Sequence, residues 1–299
     1  GGGGGKVHVV KLPKNSGAPG LPLNIGIQFA CGKYIAFLDN DDLFTKTALE
    51  ELTALAEEYQ ADAINTNEFF AFNDRNASTE ELLDVKNHHV VNCHNVSARN
   101  AGAPRLHEAV VISESLAERV NHWINFDFHW ATWATFCRRD FLILNQIKFP
   151  NMPPADDQPF NFNCICSAKK LLRVPNITYI YRIRHDSLSH ENANSEKYFC
   201  KWLKVLSTGC NEFDNVMKRF PFFDEHPDYR YAVLDWHVKH KLHQLQNFYA
   251  QIHPAALQPL VEKEFHSDEA TFAAYLFNTV NIQRLQIMRL QQELSKFQR

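Results

Sequence analysis

The amino-acid sequence predicts an α/β domain with a mostly parallel sheet, followed by a helical carboxyl-terminal region. Three observations carry that expectation. Strand-length apolar runs alternate with helical periods over residues 6–65, the pattern of strand–helix–strand crossovers. One of those runs, Tyr34 to Leu38, is almost continuously apolar, as in a strand covered on both faces. Beyond Asn192 the sequence changes to long segments rich in Phe, Leu, His and Gln at helical spacing. The boundary is expected near residue 195, separating a 6–195 α/β domain from a 196–299 helical region.

The elements follow in order. The opening GGGGG has the character of a linker and is set aside from the fold. Residues 6–12 read as a strand, ended by Pro13 and the turn-rich NSGAPGLP. A helix is expected over 23–31, closed by Gly32 in the position favoured after a helix end. The 34–38 strand comes next, and then Thr47 opens TALE as a capping box with Glu50 for a helix reaching about Tyr59. A strand returns over 61–65. Between 69 and 112 the periodicity weakens, and His88, His89, Asn92, His94 and Asn95 make a polar segment. Helices are expected over 114–121 and 136–145, with a short extension at 147–149. The loop NMPPADDQ then leads into a helix over 159–170, a strand over 177–182 and a polar loop through His190. In the last segment, 281–299, Ile287, Leu290, Leu294 and Phe297 form an amphipathic stripe expected to dock on its own domain or on a partner.

Composition excludes several classes. The net charge of −3 leaves no basic excess to neutralise phosphates, so a general nucleic-acid binder is not expected. The seven cysteines are odd in number and form no CxxC pair, which fits free thiols in a reducing compartment. No apolar run is long enough to span a bilayer, so the expected location is cytoplasmic, with room for peripheral association at a membrane face.

The stretch KYIAFLDNDDLF, residues 33–44, asks for an explanation. An apolar strand breaks into Asp39, Asp41 and Asp42, whose like charges repel unless a cation lies among them. Two carboxylates one residue apart can grip one hard divalent ion and leave open positions for phosphate oxygens. The alternative is a solvated turn in which Asp42 makes local hydrogen bonds.

The longer stretch NSGAPGLPLNIGIQFACGKYIAFLDNDDLF resembles the segment leading into the D-x-D motif of family-2 glycosyltransferases. Asn15, Gly17, Asn24, Gly26, Gly32, Tyr34 and the F-L-D-N-D-D end carry the likeness. The resemblance implies a Rossmann-like GT-A fold, inverting transfer from a nucleotide-diphospho-sugar (a UDP-sugar first among them), and Mn²⁺ or Mg²⁺ as cofactor. It also implies Asp39 against the donor ribose and metal, Asp41 as the direct metal ligand, Asn24 on the donor side and Asp42 in a structural role. Where the family often has Arg before that Asn, this chain has Leu23.

ADDQPF resembles the family's E-D-x-x-F motif, with Asp156 at the Glu position and Asp157 as general base. A plain helix cap by Asp157 or Gln158 ahead of Pro159 is the alternative. YIYRIRHDS resembles the Y-x-Y-R-x-R-x-x-S segment. It implies Arg184 and Ser187 beside the donor phosphates, Arg182 in a structural role, and His185 or His190 as a candidate third metal ligand. His129, Trp130 and Trp133 fall where the family builds its acceptor site, although core packing explains a Trp equally well. His237, His240 and His243 have no carboxylate among them and are not expected to bind metal.

The likeness begins at the family's third strand and covers about residues 7 to 190. It therefore implies further nucleotide-binding sequence ahead of it, roughly 50 to 90 residues. The expected partners are a nucleotide-sugar donor and a glycan or lipid-linked acceptor, with the carboxyl-terminal helices as a candidate surface for oligomerisation. Two rivals remain. A haloacid-dehalogenase-like phosphatase also ends a strand in D-x-D, but Asp42, Leu43 and Phe44 do not continue that motif. A non-catalytic scaffold that uses the helical tail is the other.

Overall fold

A computed structural model of the chain describes residues 7–72, 77–92, 106–183, 195–249, 254–264, 283–284 and 286–296. Its first helix, α1 (Gly20–Phe29), precedes two short strands, β1 (Tyr34–Ile35) and β2 (Leu43–Phe44), that flank the acidic turn. There follow α2 (Ala48–Tyr59), β3 (Ala63–Thr66), β4 (Glu68–Phe72), α3 (Thr79–Leu83), β5 (His89–Asn92) and β6 (Val110–Ile112). The central stretch holds α4 (Leu116–Ile124), β7 (Thr135–Arg138), α5 (Arg139–Leu144), α6 (Asp157–Ser167), β8 (Leu171–Val174) and β9 (Tyr179–Arg182). Helices α7 (Glu196–Met217), α8 (Phe222–Glu225), α9 (Pro227–Tyr249) and α10 (Pro254–Glu264) complete it.

Two sheets result, a five-stranded one in the order β1-β7-β3-β8-β6 and a four-stranded one in the order β2-β9-β4-β5. The α/β class and the helical carboxyl-terminal region are those expected. The pairing is mixed: β3–β8 and β4–β9 run parallel, and their outer neighbours are antiparallel.

Several local expectations are corrected. Residues 7–12 form no strand; Val7 and Val9 are exposed, and without a neighbour to complete its ladder an extended segment has nothing to hold it. The 136–145 stretch divides into β7 and α5, because β7 is captured between β1 and β3 and only the residues beyond that ladder are free to coil. The helix expected to 170 stops at Ser167, and Leu171–Val174 becomes a fully buried strand beside β3. Thr47 does sit at the N-cap of α2, but its hydroxyl bonds the Glu51 carboxylate and no capping box with Glu50 forms. The 286–296 helix leaves Ile287, Leu290 and Leu294 exposed, so the expected docking is not made among the described residues.

The main core explains why the helical region cannot be separated from the sheet. Ile35, Phe37, Trp123, Phe141, Phe160 and Phe162 lie in one cluster with Phe213, Met217, Phe223 and Trp236 of the carboxyl-terminal helices. Burying such large aromatic rings is the dominant favourable term in holding the layers together.

Candidate active site

The acidic turn is built on Asp42. Its Oδ2 accepts a hydrogen bond from the Tyr179 hydroxyl at 2.8 Å, and its Oδ1 accepts from the Arg182 backbone N–H at 2.8 Å. The same tyrosine oxygen accepts the Asp39 N–H at 3.2 Å. Asp42 is therefore the structural acid of the three, as expected, and it fastens the turn to β9. Burial still dominates its titration and lifts it to about 6, against those two hydrogen bonds. Asp39 stands open at the strand end, where desolvation and the charge of Asp41 raise its carboxyl above the ordinary range. A divalent cation would reverse both effects, and paired hard carboxylates suit Mg²⁺ or Mn²⁺, so Asp39 and Asp41 fit that role. Among the described residues no third His, Cys, Asp or Glu joins them, which leaves further positions to phosphate and water oxygens. Arg184, Ser187, His185 and His190 lie outside the described residues.

Packing joins this turn to the base motif. Phe37, two residues before Asp39, meets Phe149 and Phe160 edge-on at 5.7 and 5.6 Å between ring centroids. Phe149 and Phe160 stack at 3.8 Å. Phe160 belongs to the first turn of α6, so the D-x-D turn and the Asp156–Asp157 loop share one aromatic floor. Asp39 in turn acts on the charge of Asp156.

The N-cap of α6 is the buried Asp156, not Asp157 or Gln158, and its side chain makes no capping hydrogen bond. Burial lifts its carboxyl to about 6 against the pull of nearby backbone amides, Gly20 among them, and the charge of Asp39 adds to the rise. Gly20 is required by close approach: a Cβ there would come within 2.4 Å of Asp156 Oδ2. The turn-rich NSGAPG stretch thus delivers a bare backbone to the base loop, a role that Gly20's place in a Gly/Pro-rich turn hinted at without revealing its target. Asp157 begins α6 half-buried, with Oδ1 shielded from solvent and without a hydrogen-bond partner among the described residues. Burial raises its pKa and the neighbouring Asp156 charge raises it further; the Lys241 ammonium opposes both. A partly exposed carboxylate with raised proton affinity has the character of a general base.

Three expected contacts are corrected. Asn24 spends both ends of its amide on the backbone of Phe149, at 2.9 and 2.8 Å, and so clamps α1 to the approach of the base loop rather than facing a donor. His129 is a core residue: its backbone N–H bonds Asn65, its Nδ1 accepts from Ala131 N–H, and burial holds its pKa down to about 3. A neutral, enclosed imidazole is not an acceptor contact. Trp133 stacks on Tyr179 at 4.3 Å, behind the acidic turn, and keeps only partial exposure. Trp130 is half-buried, and its carbonyl accepts from Asn161 Nδ2, which also bonds the Asp157 carbonyl. Of the three aromatic candidates, Trp130 is the one tied directly to the base helix.

Residues 3–92 match the model of Glycosyl transferase family 2. Over those residues the chain is similar to family-2 glycosyltransferases. Among similar curated proteins, EpsJ of Bacillus subtilis (strain 168), an uncharacterized glycosyltransferase, is 25% identical over 56% of this chain and 42% of its own length. The poly(ribitol-phosphate) beta-glucosyltransferase of Bacillus spizizenii is 26% identical over 60% of this chain and 24% of its own. The chain therefore spans less than half the length of either relative. In structure it resembles S. aureus TarS residues 1–349, solved in complex with UDP-GlcNAc, with a TM-score of 0.52, 15% identity, and coverage of 95% of this chain and 75% of that one. No helix among the described residues is long and apolar enough to cross a membrane.

Proposed function

We propose that this protein is an inverting, metal-dependent hexosyltransferase that moves a sugar from a nucleotide diphosphate, a UDP-sugar in the first instance, to an acceptor hydroxyl in surface glycan synthesis. The observation that carries the reading is the shared aromatic floor of Phe37, Phe149 and Phe160, which sets the D-x-D turn beside the Asp156–Asp157 loop. In this arrangement Asp157 takes the acceptor hydroxyl proton while that oxygen attacks the anomeric carbon from the face opposite the leaving group. The bond from the anomeric carbon to the β-phosphate oxygen breaks, and the nucleoside diphosphate departs with the electron pair. Asp39 and Asp41 would hold the divalent ion, whose charge offsets that developing on the diphosphate. Asp39 also reaches the donor ribose, and Trp130 offers an aromatic face to the acceptor. The poly(ribitol-phosphate) glycosyltransferases among the relatives support a polyol or sugar hydroxyl on a cell-surface polymer as the acceptor class.

Titration calorimetry with UDP and Mn²⁺ tests the donor half. Binding heat in the full-length protein that disappears in Asp41→Ala and persists in Asp157→Asn is expected; no heat in the full-length protein overturns the reading in favour of a non-catalytic scaffold. For the transfer step, Asp157→Asn should lower kcat by about 10² to 10⁴ with little change in donor affinity.

A further inference from the structure

Helix α9 turns an unusual stripe towards the core. Val233, His237, Lys241 and Leu245 recur every four residues, and all four are buried. A lysine in that series is costly, because an ammonium taken out of water loses its hydration unless an anion replaces it. The Lys241 Nζ has no hydrogen-bond partner among the described residues and lies 4.7 Å over the ring of Trp202. Trp202 in turn packs against Met152 and Ala155, the residues leading directly into Asp156 and Asp157. The ammonium thus reaches the back of the base loop, where Asp157 Oδ1 is also shielded and without a hydrogen bond.

We propose that Lys241 is a positioning residue for Asp157, a buried counter-charge supplied by the carboxyl-terminal helices to the carboxylate that accepts the proton. This deepens the transferase reading and rests on it for the role of Asp157, although the charge pair itself can be tested separately. Burial alone pushes both groups towards neutrality, Asp157 upward and Lys241 downward, and the charge of each opposes the shift of the other. Without Lys241, burial and the Asp156 charge would raise the proton affinity of Asp157 further. Other ionisable groups near the pair, among the described residues, act on it or on its neighbours. Asp156 repels Asp157; His237, one turn earlier on α9, is held down by burial and by the Lys241 charge; Lys201 of α7 lies 5.9 Å over the Trp202 ring. Helices α4 and α8 meet α9 through Trp123 on Trp236 and Phe222 on Tyr229, bringing rings to that contact. A cation–π seat on Trp202 holds the ammonium without neutralising it, which leaves its charge available to Asp157.

The test is a carboxyl-carbon NMR titration of the full chain labelled at aspartate, with the Asp157 signal assigned by its loss in Asp157→Asn. In Lys241→Met the Asp157 midpoint should rise by about one unit or more, a roughly tenfold change in proton affinity, while Lys241→Arg should restore it. An unchanged midpoint in Lys241→Met overturns the proposal. Should that variant not fold, the reciprocal measurement decides: the Lys241 side-chain midpoint must fall in Asp157→Asn, and one that stays put overturns the proposal equally. UDP–Mn²⁺ calorimetry on the native protein separates the two claims. A shifted midpoint without nucleotide binding sinks the transferase reading and leaves the charge pair standing; binding with an unshifted midpoint does the opposite.

Discussion

At Asp156 the surrounding protein and the chemistry pull in different directions. The side chain is buried and its carboxyl is lifted to about 6. A carboxyl whose native pKa is raised favours folding in its protonated form; that advantage is complete in acid and is lost as pH rises through about 6. Asp156→Asn should therefore stabilise the protein above that pH, by up to about 2–3 kcal/mol, and by little in acid, read from urea denaturation at two pH values. A loss of transferase activity in the same variant would mark Asp156 as an acid kept at a cost in stability. His129 carries the opposite sign. Its native pKa is depressed to about 3, so the enclosed neutral ring weakens the fold as pH falls below its ordinary value near 6.5. Substitution by a neutral residue of similar shape, His129→Gln, should flatten the acid limb of the stability profile between those limits.

Among the elements, α6 matters most, because it begins at Asp157. Its amino end rests on Phe37 and Phe149, and its carboxyl end is held by Arg119. That buried guanidinium donates from one nitrogen to the carbonyls of Ile165 and Ala168 at 2.8 and 2.5 Å, and from Nε to Ser113 O at 2.7 Å. A cation satisfying the terminal carbonyls also suits the negative end of the helix dipole. Arg119→Ala leaves those carbonyls without their partner and should cost roughly 3 kcal/mol, visible as a lower denaturation midpoint. Beyond α6, Asp62 performs a similar service for the turn into β8, accepting the Lys169 and Lys170 N–H groups at 2.8 and 3.0 Å and pairing with Arg138. Both devices use a charged side chain to fasten backbone that regular structure leaves unpaired.

The whole molecule depends on its carboxyl-terminal helices. Trp123 of α4 packs on Phe213 at 6.1 Å and on Trp236 at 5.1 Å, so the sheet layer and the helical region share one core. Removing 196–299 would uncover that core, and a chain ending at residue 195 should be insoluble or bind a hydrophobic dye, with no cooperative thermal transition. A sharp transition in that truncated chain would show that the α/β part folds alone. The same region also contributes the buried Lys241, seated over the ring of Trp202.

The linear sequence determined the local part of this picture. F-L-D-N-D-D and A-D-D-Q-P-F could be picked out by residue type and short spacing, and the helical periods of α1, α2 and the carboxyl-terminal region were legible because each depends on neighbours three or four positions away. Asp42 as the structural acid was also readable at that range. Only the tertiary structure decided the rest. Residues 136–145 carry a helical pattern, yet their first part lies between two strands that arrive from elsewhere in the chain. His129 resembled an acceptor contact until Phe69, Trp130 and Trp133 closed around it. Gly20 and Lys241 acquire meaning solely through Asp156 and Asp157, residues far from them in sequence. Proton affinity depends on dielectric and on charges a few ångströms away, and those quantities exist only once the chain has folded.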